Sequence, residues 1–193
     1  MQADYDILQH FKDRKLRDSK KLTQGERKRI HTELKRAKVG GYVDLIVVSV
    51  SAEMIDKNGI SLAIKSCIEE GLLRLLRLGY VLDQKNCQIE LDGALKLHSD
   101  FLVRIQNKYQ QKLEYRTAIK GDENIPAIAC ASILAKVARD RYMKTLGQKI
   151  CDADGRWYNW DSNAGYGTKE HYELIKKYGM TKWHRKTFLK KIL

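Results

Sequence analysis

Residues 118–143 read AIKGDENIPAIACASILAKVARDRYM, and the change of period inside this stretch decides the fold. Lys112 to Ile119 alternates as a half-buried strand does, whereas the Ala-rich run after Asn124 predicts a long helix from about Ile125 to Ile150. Asn124 is expected to cap that helix. Pro126 is tolerated because its missing N–H falls in the first turn. Asp122 therefore stands at a strand-to-helix corner, with Lys120 before it and Lys136, Arg139 and Arg141 on the helix after it. The hard oxygens of a carboxylate placed there suit Mg²⁺ or Mn²⁺ beside a phosphate, so the chemistry suggested is phosphodiester cleavage.

Working outward, the same alternation of periods recurs. Thr23 and Glu26 have capping-box spacing, and Ile30, Leu34 and Ala37 follow at helical intervals before Gly40-Gly41, leaving a strongly basic outer face. Tyr42 to Val50 is a glycine-bounded, β-branched run that predicts a strand. Ser61 to Leu78 predicts a helix with Ile64, Cys67, Ile68, Leu72 and Leu75 on its apolar stripe, stopped by Gly79. Gln88 to Asp92 predicts a short strand, while residues 94–111 read ambiguously, a helix around Phe101 to Tyr109 being one reading. Thr168 caps a helix running through Lys177, Gly179 ends it, and Thr181 to Leu193 is basic and partly helical. Strands alternating with helices predict an α/β domain.

Composition restricts the partners. The chain has 193 residues, 43% of them hydrophobic, enough for one domain with a real core. Its net charge of +13 and pI of 9.5 favour a polyanion, because cationic surface gains affinity for nucleic acid by releasing condensed counterions. No apolar run approaches the roughly 18–20 residues of a membrane span, and the N-terminal residues lack an apolar signal core. A soluble, cytoplasmic protein is expected. Cys67, Cys87, Cys130 and Cys151 lack the close pairing of a zinc or redox motif, so they are expected to be reduced thiols.

Asp92, like Asp122, ends an expected strand, the place where functional groups gather in α/β folds. Asp92-Gly93 and Gly121-Asp122 also read as ordinary turns. Lys136, Arg139 and Arg141 read either as phosphate contacts or as a solvated helix face. Gly165-Tyr166-Gly167-Thr168-Lys169-Glu170-His171 sets an aromatic between glycines just before a helix, where its ring can stack on a sugar or base or simply pack inward. His171 and His184 read as structural or surface residues rather than metal ligands. Asp18-Ser19-Lys20-Lys21-Leu22-Thr23 reads either as a segment ordering a phosphate through Ser19 and the lysines or as a polar turn leading into the helix cap, and on the residues alone the turn reading is preferred.

Together these segments resemble ribonuclease HII, the type 2 ribonuclease H family. The matching pieces are DSKKLT at 18–23, LDG at 91–93, KGD at 120–122, ASILAKVARDR at 131–141, GYGTKEH at 165–171 and HRKTF at 184–188, in one order from about residue 16 to 188. The resemblance implies an RNase H-like α/β fold over 1–193, with a mixed sheet flanked by helices and a basic helical region from about 168 to 193. It implies hydrolysis of the RNA strand of RNA/DNA hybrids and nicking 5′ to a ribonucleotide embedded in DNA, by two-metal catalysis with Mg²⁺ or Mn²⁺. Of the family's catalytic, metal-binding carboxylates it carries over Asp92 and Asp122. Tyr166 matches the tyrosine that packs near the ribose of the RNA–DNA junction. Ser132 and Lys136 fall in a segment that meets the nucleic-acid backbone, and Ser19 and Lys20 in another expected to bind it.

The departure from the family is at the N-terminus. Members begin with a strand carrying an Asp-Glu-Ala-Gly-Arg-Gly box and a second strand, whereas Met1 lies a short stretch before Asp18 and no such box stands there. Asp4 and Asp6 lack the glycine turn and do not replace it. The expectation is a chain missing its first strands through a mis-set start or split gene. An inactive hybrid-binding fragment, or a piece needing a complementary N-terminal segment, is the alternative.

Overall fold

The computed structural model describes residues 22–82, 85 and 87–189. In chain order the elements are α1 (Gln24–Val39), α2 (Ala52–Asn58), α3 (Ile60–Arg77), β1 (Ile89–Asp92), α4 (Ser99–Tyr109), β2 (Tyr115–Ala118), α5 (Gly121–Asn124), α6 (Pro126–Asp154), α7 (Trp160–Asn163), α8 (Lys169–Tyr178) and α9 (Lys186–Leu189). The described residues gather into two compact units, one from 22–48 and 65–135 and the other from 49–64 and 136–189. Residues of both units occur in α3 and α6.

In the first unit, α1 starts at the capping box expected from its sequence. The Glu26 amide donates to Thr23 Oγ1 at 3.2 Å while the Thr23 amide donates to Glu26 Oε2 at 2.7 Å, so two otherwise orphaned amides find partners. Its apolar stripe Ile30, Leu34 and Ala37 is buried as the spacing requires. The core joins Leu72 and Leu76 of α3, Leu91 of β1 and Phe101 and Ile105 of α4, with Leu82, Leu97 and Leu113 from the connections. The stripe of α3 differs from expectation: Leu76 is buried, and Ile64 remains 44% exposed.

β1 and β2 pair in parallel, joined through α4, with Ile89 opposite Tyr115 and Asp92 opposite Ala118. This βαβ arrangement sends both strands toward the same end. Tyr42 to Val50, by contrast, forms no strand. β-branched composition favours an extended backbone, but a strand also needs a ladder partner, and no described segment supplies one. Side chains hold the segment instead: Lys38 Nζ donates to the Leu45 carbonyl at 3.3 Å, and the Tyr80 hydroxyl donates to Asp44.

In the second unit the core is aromatic. Tyr158 and Trp160 stack at 5.2 Å and pack with Leu146 of α6, Ile175 of α8 and Leu189 of α9. Thr168 caps α8 by accepting from the His171 amide at 3.2 Å, and Gly179 follows the helix at φ +77. Of the expected partly helical C-terminal run, Lys186–Leu189 is helical and the residues after 189 lie outside the described ones.

Among the described residues no helix is long and apolar enough to cross a membrane. All four cysteines are free, and burial pushes the Cys130 thiol up to about 11, which makes it an inert core residue at neutral pH.

Candidate active site

Parallel pairing in register brings the two carboxylate-bearing turns to one place. β1 ends at Asp92 and β2 at Ala118, its opposite partner. The Gly93 amide donates across to the Ala118 carbonyl at 2.9 Å, Gly93 taking φ +76 to leave the strand. After Ala118 the chain turns through Lys120 in the left-handed region, φ 55, and enters the single-turn α5 at Gly121. There the Gly121 amide donates to Asp92 Oδ1 at 2.9 Å. The bond ties one turn to the other and orients the Asp92 side chain.

Gly121 stands where a side chain would be crowded. A Cβ on it would lie 2.5 Å from Ile128 Cδ1, 3.2 Å from Asp92 Oδ1 and 3.3 Å from Ala118 Cβ. Asp122, the next residue, is 4% exposed, whereas Asp92 is exposed. Its exposure leaves the Asp92 carboxylate accessible from solvent. Among those residues no group of three or more His, Cys, Asp or Glu is arranged to hold a metal. Two carboxylates are nonetheless what Mg²⁺ uses where substrate phosphates and water complete its octahedron, so the residue types of Asp92 and Asp122 suit a hard divalent ion.

Asn124 does not cap the long helix. Its Nδ2 donates back to the Lys120 carbonyl at 3.1 Å, stabilising the tight turn of α5, and Pro126 opens α6. Ser132 and Lys136 stand one turn apart on α6, and both are half-buried. Ser19 and Lys20 lie outside the described residues.

In the second unit, Tyr166 sits in a loop built by Asn163. The Asn163 side chain accepts from the Gly165 amide at 2.8 Å and donates to the Tyr158 carbonyl at 2.9 Å, while the Tyr166 amide donates to the Asn163 carbonyl at 2.8 Å. Gly165 has φ +71, and a Cβ there would meet Met143 Cε at 2.8 Å. The glycines thus let a tyrosine be held out, 54% exposed, with the Arg139 guanidinium over its ring at 4.6 Å.

His171 and His184 are structural. Their rings stack at 5.3 Å, both are buried, and Tyr158 and Trp160 enclose them. Burial, then the neighbouring His171, pushes His184 down to about 4, and burial also lowers His171. Two residues escaped the sequence reading. Asp56 accepts from the Lys186 amide at 2.7 Å, the Thr187 amide at 3.0 Å and the Thr187 hydroxyl at 2.6 Å. Nothing in its local sequence marks a partner 130 positions away. Arg185, in the HRKTF segment, stacks over Phe188 at 3.9 Å. Its place between a histidine and a lysine was the only available signal.

The chain is similar to known proteins in sequence and in fold. A family model described as Ribonuclease HII matches residues 3–191. The chain is 35% identical over 183 residues to a ribonuclease HII of Pelagibacter ubique, covering 94% of this chain and 83% of that protein. It is 40% identical over 173 residues to one from Helicobacter pylori, covering 90% of this chain and 73% of that one. In three dimensions it is similar to a chain in the structure of the PCNA:RNase HII complex from Archaeoglobus fulgidus, with a TM-score of 0.63 at 23% identity over 93% of this chain and 81% of that chain.

Proposed function

The chain belongs to the ribonuclease HII family of endoribonucleases, and from that membership we propose that it hydrolyses the RNA strand of RNA/DNA hybrids and nicks DNA 5′ to an embedded ribonucleotide. The observation that carries the reading is the meeting of the Asp92 and Asp122 turns at the shared end of two in-register parallel strands. Asp92 and Asp122 would hold Mg²⁺ or Mn²⁺. Such ions, when bound, supply Lewis acidity to the attacking and leaving oxygens of a phosphodiester.

The remaining roles fall to the protein's own side chains. The Gly121 amide keeps Asp92 aimed, and burial restricts the Asp122 carboxylate to few orientations. The exposed ring of Tyr166 is suited to pack on the junction ribose, whose 2′-OH alone separates RNA from DNA. Ser132 and Lys136, together with Ser19 and Lys20, are assigned to the nucleic-acid backbone. The net charge of +13 suits such a polyanionic duplex. We take residues 1–193 as one RNase H-like domain with a basic helical region from about 168 to 193, acting in the cytoplasm.

The test is a duplex carrying one ribonucleotide, incubated with purified protein and Mn²⁺. Nicking 5′ to that ribonucleotide, lost in Asp92→Asn and in Asp122→Asn, is the expected result. Salt-sensitive binding with no cleavage would overturn the catalytic reading, and cleavage untouched by both substitutions would overturn the site.

A further inference from the structure

The Tyr166 ring carries a guanidinium, one of whose donors has no hydrogen-bond partner among the described residues. The Arg139 guanidinium lies over the Tyr166 ring, its Cζ 4.6 Å from the centroid, and its Nη1 is buried with no hydrogen-bond partner among the described residues. Stacking occupies the face of a guanidinium and leaves its in-plane N–H groups to be satisfied at the edge. A buried donor left unsatisfied costs about 1–3 kcal/mol, so such atoms in a folded protein call for an acceptor from elsewhere. The close approach is built in: Arg139 Nη2 lies 3.7 Å from where a Cβ on Gly165 would stand.

A second guanidinium, that of Arg185, lies within electrostatic reach of Arg139 and Tyr166. Arg185 stacks 3.9 Å over Phe188, which is itself 50% exposed. Burial first and the charge of Arg139 second hold Arg185 below its ordinary value, while Asp56 and Tyr166 act the other way. Asp56 offsets part of the Arg185 charge, but its oxygens receive the Lys186 amide and the Thr187 amide and hydroxyl, and among the described residues it forms no ion pair with either arginine. Two cations held close, each fixed by an aromatic ring and neither ion-paired among the described residues, repel until an anion arrives.

We propose that Arg139 and Arg185 together bind one backbone phosphate adjacent to the sugar that Tyr166 contacts, Arg139 also serving as the positioning residue for the Tyr166 ring. This rests on the ribonuclease reading above and names how the substrate is registered. A phosphate presents several acceptor oxygens, which match the edges of two guanidiniums better than any single neutral group does. Aromatic stacking pre-organises both side chains, so little rotamer freedom is lost on binding.

The test measures binding of a 5′-fluorescent duplex with one ribonucleotide, without divalent metal, across a KCl series. Arg139→Gln and Arg185→Gln should each weaken binding about 10-fold and make the log–log salt dependence shallower by roughly one phosphate contact for the pair. Arg139→Lys should restore much of the salt dependence. A methylphosphonate placed at successive positions near the ribonucleotide should weaken wild type at one position only, and have no further effect there in the double variant. If every methylphosphonate position acts equally on wild type and variants, or the salt slope is unchanged, the phosphate site is wrong while the ribonuclease reading stands. If the folded wild-type protein neither binds nor nicks the duplex, both fall together. Thermal melts of each variant show whether it is folded, and Arg139→Lys carries the test if a Gln variant is not.

Discussion

The Gly121 amide donates to Asp92 Oδ1 at 2.9 Å, linking residues 29 positions apart at the ends of neighbouring parallel strands. One carboxylate oxygen is thereby engaged by the backbone. The buried carboxylate of Asp122 follows directly in the chain.

Asp92→Asn preserves the accepting oxygen, because an amide Oδ1 can still take the Gly121 hydrogen bond. Stability should therefore stay within about 0.5 kcal/mol of wild type, as for surface substitutions that leave no partner stranded. Metal-dependent nicking should fall by about 10²-fold or more, since metal-held charge stabilisation is worth several kcal/mol. Urea unfolding and single-turnover cleavage, measured on the same preparation, separate the two effects.

Gly121→Ala tests the turn itself. The added methyl would crowd Ile128 Cδ1 at 2.5 Å and the aspartate oxygen at 3.2 Å. Ile128 can yield by changing rotamer, so a loss of about 1–3 kcal/mol is expected, the range for overpacking a core. Cleavage should fall with it because the Asp92 anchor shifts. Unchanged unfolding midpoint and unchanged cleavage would contradict this packing.

Gly165→Ala should cost about 1–2 kcal/mol from the left-handed backbone at φ +71 alone, before any clash with Met143. The loop carrying Tyr166 would move, so the preference for a junction ribonucleotide over all-DNA should shrink more than overall affinity does. Competition binding with ribonucleotide-containing and all-DNA duplexes reads that ratio.

His184 gives a pH signature. Held at about 4 in the fold against its usual 6.5, it stays neutral where the unfolded chain takes up a proton. Stability contributed by the neutral ring is intact above pH 6.5, declines as pH falls, and is fully lost below about 4. The slope in that window should reach up to about 1.4 kcal/mol per pH unit for this group. His171, also lowered by burial, adds in the same direction. Urea unfolding at successive pH values checks it, and the slope should shrink in His184→Gln.

Much of the local structure was legible in the residues. The Thr23–Glu26 capping box, the stripe of Ile30, Leu34 and Ala37, the Thr168 cap and the strand endings at Asp92 and before Lys120 are all present. Each rests on interactions within a few positions, so spacing carries the information. Asn124 shows the boundary of that method: an amide can accept as a cap or donate as a turn clamp, and its surroundings select donation.

The sequence by itself determined the longer capped helices, the glycine turns and the ordered motifs that place the chain in its family, because these depend on backbone propensity and on residues near one another. Only the tertiary structure decided which segments meet. Tyr42 to Val50 has strand composition without a ladder among the described residues, Asp56 holds Thr187 across 131 positions, and Arg139 lies on Tyr166. Pairing of this kind depends on which distant group supplies the complementary donor, acceptor or aromatic face, and no local period records that choice.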